Sequence, residues 1–210
     1  MCITESIWLD VILLEQAFHD KKTLALSKLQ EAIEDKKVDV EVLDLVHLIN
    51  SYDQYYTTSS CAGRFVILSK GSFRGKYSSR FVFKTHSPPI NKLEVQEALS
   101  LPFENYLYIN VEPPTFHVAC RTLEDAILLH QLAIDSNIGY SMFKTIKKSI
   151  VVEIRGTGNL AVPIAFESKL LVSEEYLTNV ISLSNDILTS EQSRIEHFKE
   201  QLPLTIKQKE

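Results

Sequence analysis

Glycine and cysteine are both scarce in this chain: 6 of its 210 residues are Gly and 3 are Cys. The few glycines form neither G-x-G-x-x-G nor a Walker-type loop, so the glycine-rich phosphate cradles of the large nucleotide-binding classes are missing. Cys2, Cys61 and Cys120 are odd in number and include no C-x-x-C pair, which argues against a disulfide framework or a zinc knuckle and suits a reducing compartment. There is no H-E-x-x-H, and no metal site is expected. No apolar run approaches the roughly 18 residues that would suggest a membrane span. The first residues carry Glu5 and Asp10 within their hydrophobic pattern and no basic leader, so no targeting signal is expected and a cytoplasmic location follows.

What remains is the composition of an ordinary globular protein, 45% hydrophobic and 23% charged, long enough to bury a core. The net charge of -5 gives no global attraction to nucleic acid or to acidic membranes, so neither DNA nor a membrane is an expected partner. Charge is nevertheless segregated. From Phe65 to His86 there is no acidic residue, while Lys70, Arg74, Lys76, Arg80 and Lys84 are all basic. Five cations without a counter-charge suit a phosphate-tracking surface, and they equally suit an exposed, solvated loop.

Periodicity predicts α+β architecture, with helices at both ends around mixed sheet, as a single domain spanning 1–210; a break near Pro88 leaves two sub-lobes open. Residues 3–36 read as helix, with a possible interruption near Asp20. A second helix opens at Asp39 as N-cap and places Val42, Val46 and Ile49 on one face. Residues 64–68 and 80–86 read as a hairpin with a long basic loop; alternation would group Arg80, Val82, Lys84 and His86 on one face. A short helix over 93–99 and strands over 106–111 and 115–121 follow, the last with Phe116, Val118 and Cys120 turned one way and His117, Ala119 and Arg121 the other. Thr122 and Asp125 have capping-box spacing before a helix to about Ser136, with Gly139 at its exit. Strands over 150–155 and 160–164, a hairpin turn at 156–159 and a long final helix from Ser173 complete the reading.

The conspicuous segment is Tyr55-Tyr56-Thr57-Thr58-Ser59-Ser60-Cys61-Ala62-Gly63-Arg64. Consecutive hydroxyls need a partner each if buried, so the run is expected at the mouth of a strand, facing solvent or a polar ligand. Cys61 beside a cation has the composition of a nucleophile, but also of a small residue in a tight turn. His117 and Arg121 suit a phosphate or a substrate, and Glu112 suits a proton acceptor, although each is individually ordinary in a structural role. Tyr52, Tyr55 and Tyr56 suit base stacking or a wedge between helix and sheet. On these residues alone an RNA-binding module and a Cys61-dependent transferase or hydrolase both stay open.

Thr57 to Arg64, followed by Phe83-Lys84-Thr85-His86, the block from Glu112 to Arg121, Gly139-Tyr140-Ser141 and Ile154-Arg155-Gly156-Thr157, resembles the tRNA wybutosine-synthesizing protein three family in its single-domain archaeal form. The resemblance implies an S-adenosylmethionine-dependent methyltransferase without the usual Rossmann fingerprint. It implies action on the anticodon stem-loop of tRNA-Phe, at N4 of 7-aminocarboxypropyl-demethylwyosine, the guanosine-derived base at position 37. On that basis Ser59, Ser60, Cys61, Arg64, Arg121 and Arg155 become candidate cofactor or substrate contacts. His117, His86 and Glu112 become candidate proton acceptors, and Lys70, Arg74, Lys76, Arg80 and Lys84 candidate RNA contacts. The sequence leaves the oligomeric state open.

Overall fold

The computed structural model describes residues 3–71, 79–86, 88–147 and 149–208, with side chains described from Leu14 onward. Its elements, in chain order, are α1 (Ile3–Glu34), α2 (Leu43–Ser51), β1 (Tyr55–Cys61), β2 (Arg64–Lys70), β3 (Ser79–Thr85), α3 (Lys92–Ser100), β4 (Tyr106–Glu112), β5 (Thr115–Cys120), α4 (Leu123–Asp135), β6 (Tyr140–Thr145), β7 (Ile150–Arg155), β8 (Leu160–Phe166), β9 (Lys169–Leu170) and α5 (Glu174–Lys207). The α+β class with long terminal helices is what the sequence implied. The strands divide between two sheets, of order β1-β5-β7-β6 and β3-β2-β4-β8-β9. The chain likewise divides into two compact units, one of residues 1–61, 116–154 and 198–210 and the other of residues 62–115 and 155–197.

The first unit contains the four-stranded sheet. α1 runs without interruption at Asp20 because nothing at that point breaks the helical ladder. Phe18 and Ala25, two turns apart, pack on Tyr56, Ala119 and Val151, whereas Leu14 is exposed. Ahead of α2 the chain makes a 3₁₀ turn over Val40–Val42; Asp39 precedes it in extended conformation with no side-chain capping bond, so the helix starts later than its sequence suggests. Val42, Val46 and Ile49 are buried as their spacing requires. In this unit Phe116, Val118, Cys120 and Ile154 of the sheet are buried, as are Leu129 and Ala133 of α4. The Thr122–Asp125 capping box is complete in both directions, and its carboxylate is buried. α4 exits through Asn137, whose φ of 59° supplies the left-handed turn expected from Gly139.

The second unit is an antiparallel sheet with α3 and α5 packed on one face. Phe65, Ile67, Leu107, Ile109, Val111 and Ile164 supply the sheet's side of that core, and Val95, Leu177, Val180, Ile181 and Leu188 the helices' side. The β2–β3 hairpin forms as expected, but its pairing shifts between Ile67, opposite Phe83, and Leu68, opposite Phe81. The extra residue, Val82, is a β-bulge, and it inverts the alternation beyond it. Lys84, opposite Val66, and Arg80, opposite Ser69, therefore lie on opposite faces, which corrects the single basic face inferred from parity. β7 and β8 belong to different sheets, so Gly156 to Asn159 connects two sheets and does not close a hairpin.

Candidate functional site

The hydroxyl run is itself strand β1, which corrects its expected place at a strand mouth. It is tolerated there because its burial is graded. Tyr55, Tyr56 and Thr57 are buried, Thr58 and Ser59 exposed, and Ser60 and Cys61 half-buried. The buried part is satisfied from outside the sheet. Tyr55 donates its phenolic O–H to the Asp125 carbonyl at 3.0 Å, and the Thr57 N–H donates to Asn50 Oδ1 at 2.7 Å while the Asn50 amide donates back to Thr57 Oγ1 at 3.0 Å. That lock fixes where the exposed hydroxyls begin.

Thr58 and Ser59 both reach β5, the neighbouring strand. Thr58 Oγ1 donates to the His117 carbonyl at 3.3 Å, and Ser59 Oγ lies 2.6 Å from His117 Nδ1. On the far side of the ring, Nε2 lies 2.9 Å from Glu153 Oε2 of β7. The carboxylate can only accept and calls for the proton on Nε2, whereas the Lys144 ammonium, 2.8 Å from the same nitrogen, can only donate and calls for the proton on Nδ1. With the proton on Nε2, Nδ1 accepts the Ser59 hydroxyl proton; with it on Nδ1, the ring donates to Ser59 Oγ. Serine, imidazole and carboxylate thus stand in line across three adjacent strands. Lys144 of β6 completes the row, its ammonium competing with the imidazole N–H for Glu153 Oε2, 3.5 Å away. The Glu153 carboxyl is held below its ordinary value chiefly by the hydrogen bond from His117, against burial and with help from the Lys144 charge.

Neither Glu153 nor Lys144 stands out in the sequence. Glu153 is one carboxylate inside the apolar run 150–154, and the signal that finds it is parity: Val151 packs with Ala119, so Glu153 shares a face with His117. Lys144 lies in β6, a strand of mixed residues with no apolar alternation to reveal it.

Beside Ser59 runs a groove of about 440 Å³, within the size range of small-molecule sites. Its one wall is Thr57 to Ser60; the other is the apolar face of α1 at Leu24, Ala25 and Leu29, rimmed by Lys21, Lys28 and Lys37. No carboxylate lines it. Arg121 does not line it; it lines one cavity with Lys22 and Asp53 and another with Lys21, Tyr56 and Ala119. The structure therefore brings Ser59 and His117 together, while Arg121, just past the end of β5, does not line the groove beside them.

The second unit holds the other predicted residues. Arg64 donates through Nε to Glu112 Oε2 at 2.6 Å, and its guanidinium stands over the Phe81 ring at 5.1 Å. Glu112 is consequently the anchor of an arginine. His86 Nδ1 donates to the Gly63 carbonyl at 2.9 Å. Gly63 has φ of 78°, and a Cβ there would lie 2.8 Å from Pro114 N, so only glycine fits this crossing. Arg155 is exposed; Lys70 and Arg80 sit on opposite faces of the sheet, and Arg74 and Lys76 lie outside the described residues. Of the thiols, Cys61 is half-buried, whereas burial pushes Cys120 up to about 12 and makes it inert. Among the described residues no three His, Cys, Asp or Glu side chains are grouped to hold a metal, and no helix is long and apolar enough to cross a membrane.

Comparison with known proteins accounts for these blocks together. The chain is 38% identical over 179 residues to tRNA(Phe) 7-((3-amino-3-carboxypropyl)-4-demethylwyosine(37)-N(4))-methyltransferase 2 of Pyrococcus horikoshii, a match covering 85% of this chain and 86% of that protein. It is 40% identical over 174 residues to the protein of the same name in Pyrococcus abyssi, covering 83% and 84%. Among solved structures, the PH1069 protein of Pyrococcus horikoshii superposes with a TM-score of 0.85 at 31% identity, covering 90% of this chain and 97% of that one. The family model described as Methyltransferase TYW3 matches residues 20–203, and the chain belongs to that family of methyltransferases.

Proposed function

We propose that this protein transfers a methyl group from S-adenosylmethionine to N4 of 7-aminocarboxypropyl-demethylwyosine at position 37 of tRNA(Phe), as a cytoplasmic enzyme. The relatives' names give the reaction; the observation that ties it to this chain is the Ser59–His117–Glu153 line. Alkylation of a ring N–H forms a nitrogen–carbon bond and releases a proton, so the site must hold a proton acceptor within hydrogen-bond reach. In the tautomer that donates from Nε2 to Glu153, which this reading takes, His117 has that capacity at Nδ1. As Ser59 Oγ takes the proton from N4, its own proton passes to Nδ1, and the imidazolium so formed is held against the Glu153 carboxylate. His86, whose Nδ1 is engaged by Gly63, and Glu112, engaged by Arg64, serve as supports of their own unit in this reading.

The groove along β1 fits the cofactor on three grounds: its volume, its apolar wall for a base and ribose, and its lysine rim for a carboxylate. When bound, S-adenosylmethionine supplies the electrophilic methyl. Ser60 and Cys61 continue the polar edge of β1, and Arg64, Arg121 and Arg155 with the β2–β3 cations supply positive charge for the anticodon stem-loop. Positioning carries most of the acceleration in such a transfer. The test is incubation with S-adenosylmethionine and tRNA from cells lacking this step, followed by mass spectrometry of the nucleosides. One methyl added to the tricyclic nucleoside is the expected product; an unmodified nucleoside with intact protein rejects the proposal.

A further inference from the structure

One end of the five-stranded sheet carries a row of side chains that the chemistry above does not use. In the ladder Ser79 stands opposite Lys70, Lys70 opposite Tyr106, and Phe166 opposite Lys169. Leu107 pairs with Ala165, and the ring of Tyr106 stacks on Phe166 at 4.3 Å between centroids and 23° between planes. Direct partners in an antiparallel ladder share a face, so Ser79, Lys70, Tyr106, Phe166 and Lys169 form one row across all five strands. Leu107 and Ala165, one residue along, point the other way into the helix-covered core. The row is therefore on the face that α3 and α5 leave uncovered.

Its order is hydroxyl, cation, two aromatics, cation. Tyr106 is 39% exposed, Lys169 is exposed, and the Lys70 ammonium also lies 4.2 Å from the ring of Tyr108, the next residue inward on that face. No carboxylate belongs to the row: Glu167 is in the β8–β9 turn and Glu104 lines a cavity ahead of β4. A stacked aromatic pair confined to the core would need no cations on both flanks. Adjacent strands are about 4.8 Å apart, so Lys70 and Lys169, three strands apart, bracket the pair at about 14 Å.

We propose that this row is a stacking platform for an unpaired nucleotide of the RNA, with a base extending the Tyr106–Phe166 stack at one of its outer ring faces and flanking phosphates on Lys70 and Lys169. Sheet aromatics receive splayed bases in this way in single-strand RNA recognition, and stacking tolerates any base because each has a π face. The inference rests on the tRNA reading above and deepens it, since it names the surface that grips loop nucleotides outside the modified base. It also separates the five basic residues predicted from sequence, because Arg80 faces away from the row and Lys70 lies in it.

The test is binding of a short unmodified oligouridylate, followed by fluorescence anisotropy, to the full chain and to Tyr106→Leu, Phe166→Leu and Lys70→Ala. Tyr106→Leu keeps apolar bulk but removes the π face, and is expected to weaken binding about 5- to 150-fold. Lys70→Ala is expected to reduce the slope of log affinity against log salt by about 0.7, the share of one single-strand phosphate. Independently of any variant, 4-thiouridine in the oligonucleotide is expected to photocrosslink to Tyr106 or Phe166 of the wild-type chain. Unchanged affinity in the two aromatic variants, crosslinks confined to other strands, or no oligonucleotide binding by the wild-type chain each overturns the platform. A wild-type chain that methylates tRNA while these variants bind normally refutes the platform alone. A chain that binds through this row and transfers no methyl refutes the assigned reaction alone.

Discussion

Replacing Glu153 by glutamine changes one atom and tests the line of groups around His117. With the proton on Nε2 the carboxylate accepts from it at 2.9 Å with its side chain 17% exposed, so charge and hydrogen bond both act in a largely desolvated place. If the new amide keeps its oxygen toward Nε2, the bond survives without its charge. Charged hydrogen bonds contribute about 1.5–3 kcal/mol and neutral ones about 0.5–1.5, so about 1–1.5 kcal/mol is lost, a fivefold to tenfold fall in rate. If the amide turns its N–H₂ toward the ring, the tautomer inverts, Nδ1–H faces Ser59, and the base contribution of about 10²–10⁴ disappears. Single-turnover methyl transfer should therefore fall at least about fivefold in Glu153→Gln, with the affinity for S-adenosylmethionine unchanged. The same variant carries a stability signature. Glu153 is lowered in the folded chain, so its contribution is complete above the ordinary carboxylate value of about 4.3 and is lost as pH falls through the lowered native one. The melting difference between wild type and variant should be largest at neutral pH, about 2–4 °C per kcal/mol for a chain of this size, and should close in acid. Wild-type turnover in a folded Glu153→Gln protein would refute the role assigned to the carboxylate.

Three further outcomes follow from local geometry. Gly63→Ala must place a Cβ 2.8 Å from Pro114 N at a φ of 78°, and should cost about 1–3 kcal/mol by chemical denaturation; an unchanged midpoint would show that the crossing relaxes freely. Thr122→Ala removes the acceptor for the Asp125 N–H, 3.1 Å away, and should cost about 0.5–2 kcal/mol, whereas Thr122→Ser should recover most of it. Cys61→Ser retains a polar group at the end of β1 and should retain methyl transfer with at most a weakened KM; complete loss of turnover would favour a thiol nucleophile over the histidine line.

Much of the scaffold is legible in the residues, because local rules suffice for it. The Thr122–Asp125 box, the burial of Val42, Val46 and Ile49, and the inward turn of Phe116, Val118 and Cys120 all follow from spacing of a few residues. What failed depends on partners distant in sequence. The hydroxyl run reads as the mouth of a strand because its Asn50 and His117 partners become visible only in the folded sheet. The bulge at Val82 leaves no mark in a strand of alternating bulk, yet it sends Arg80 and Lys84 to opposite faces. Gly156 to Asn159 has hairpin composition, but β7 and β8 pair with different strands, and strand pairing between sheets is not encoded in turn residues. The site was half legible for the same reason. His117 and Ser59 stand out as unusual residues, whereas Glu153 and Lys144 gain meaning only from the order β1-β5-β7-β6, which sets the consecutive strands β6 and β7 beside β5 and β1 from earlier in the chain.

The most direct measurement is single-turnover methyl transfer to the demethylwyosine-derivative tRNA by His117→Ala, with S-adenosylmethionine and RNA affinities measured on the same preparation. Loss of about 10²–10⁴-fold in rate with both affinities preserved is the predicted result. A rate equal to that of the wild-type chain would contradict it.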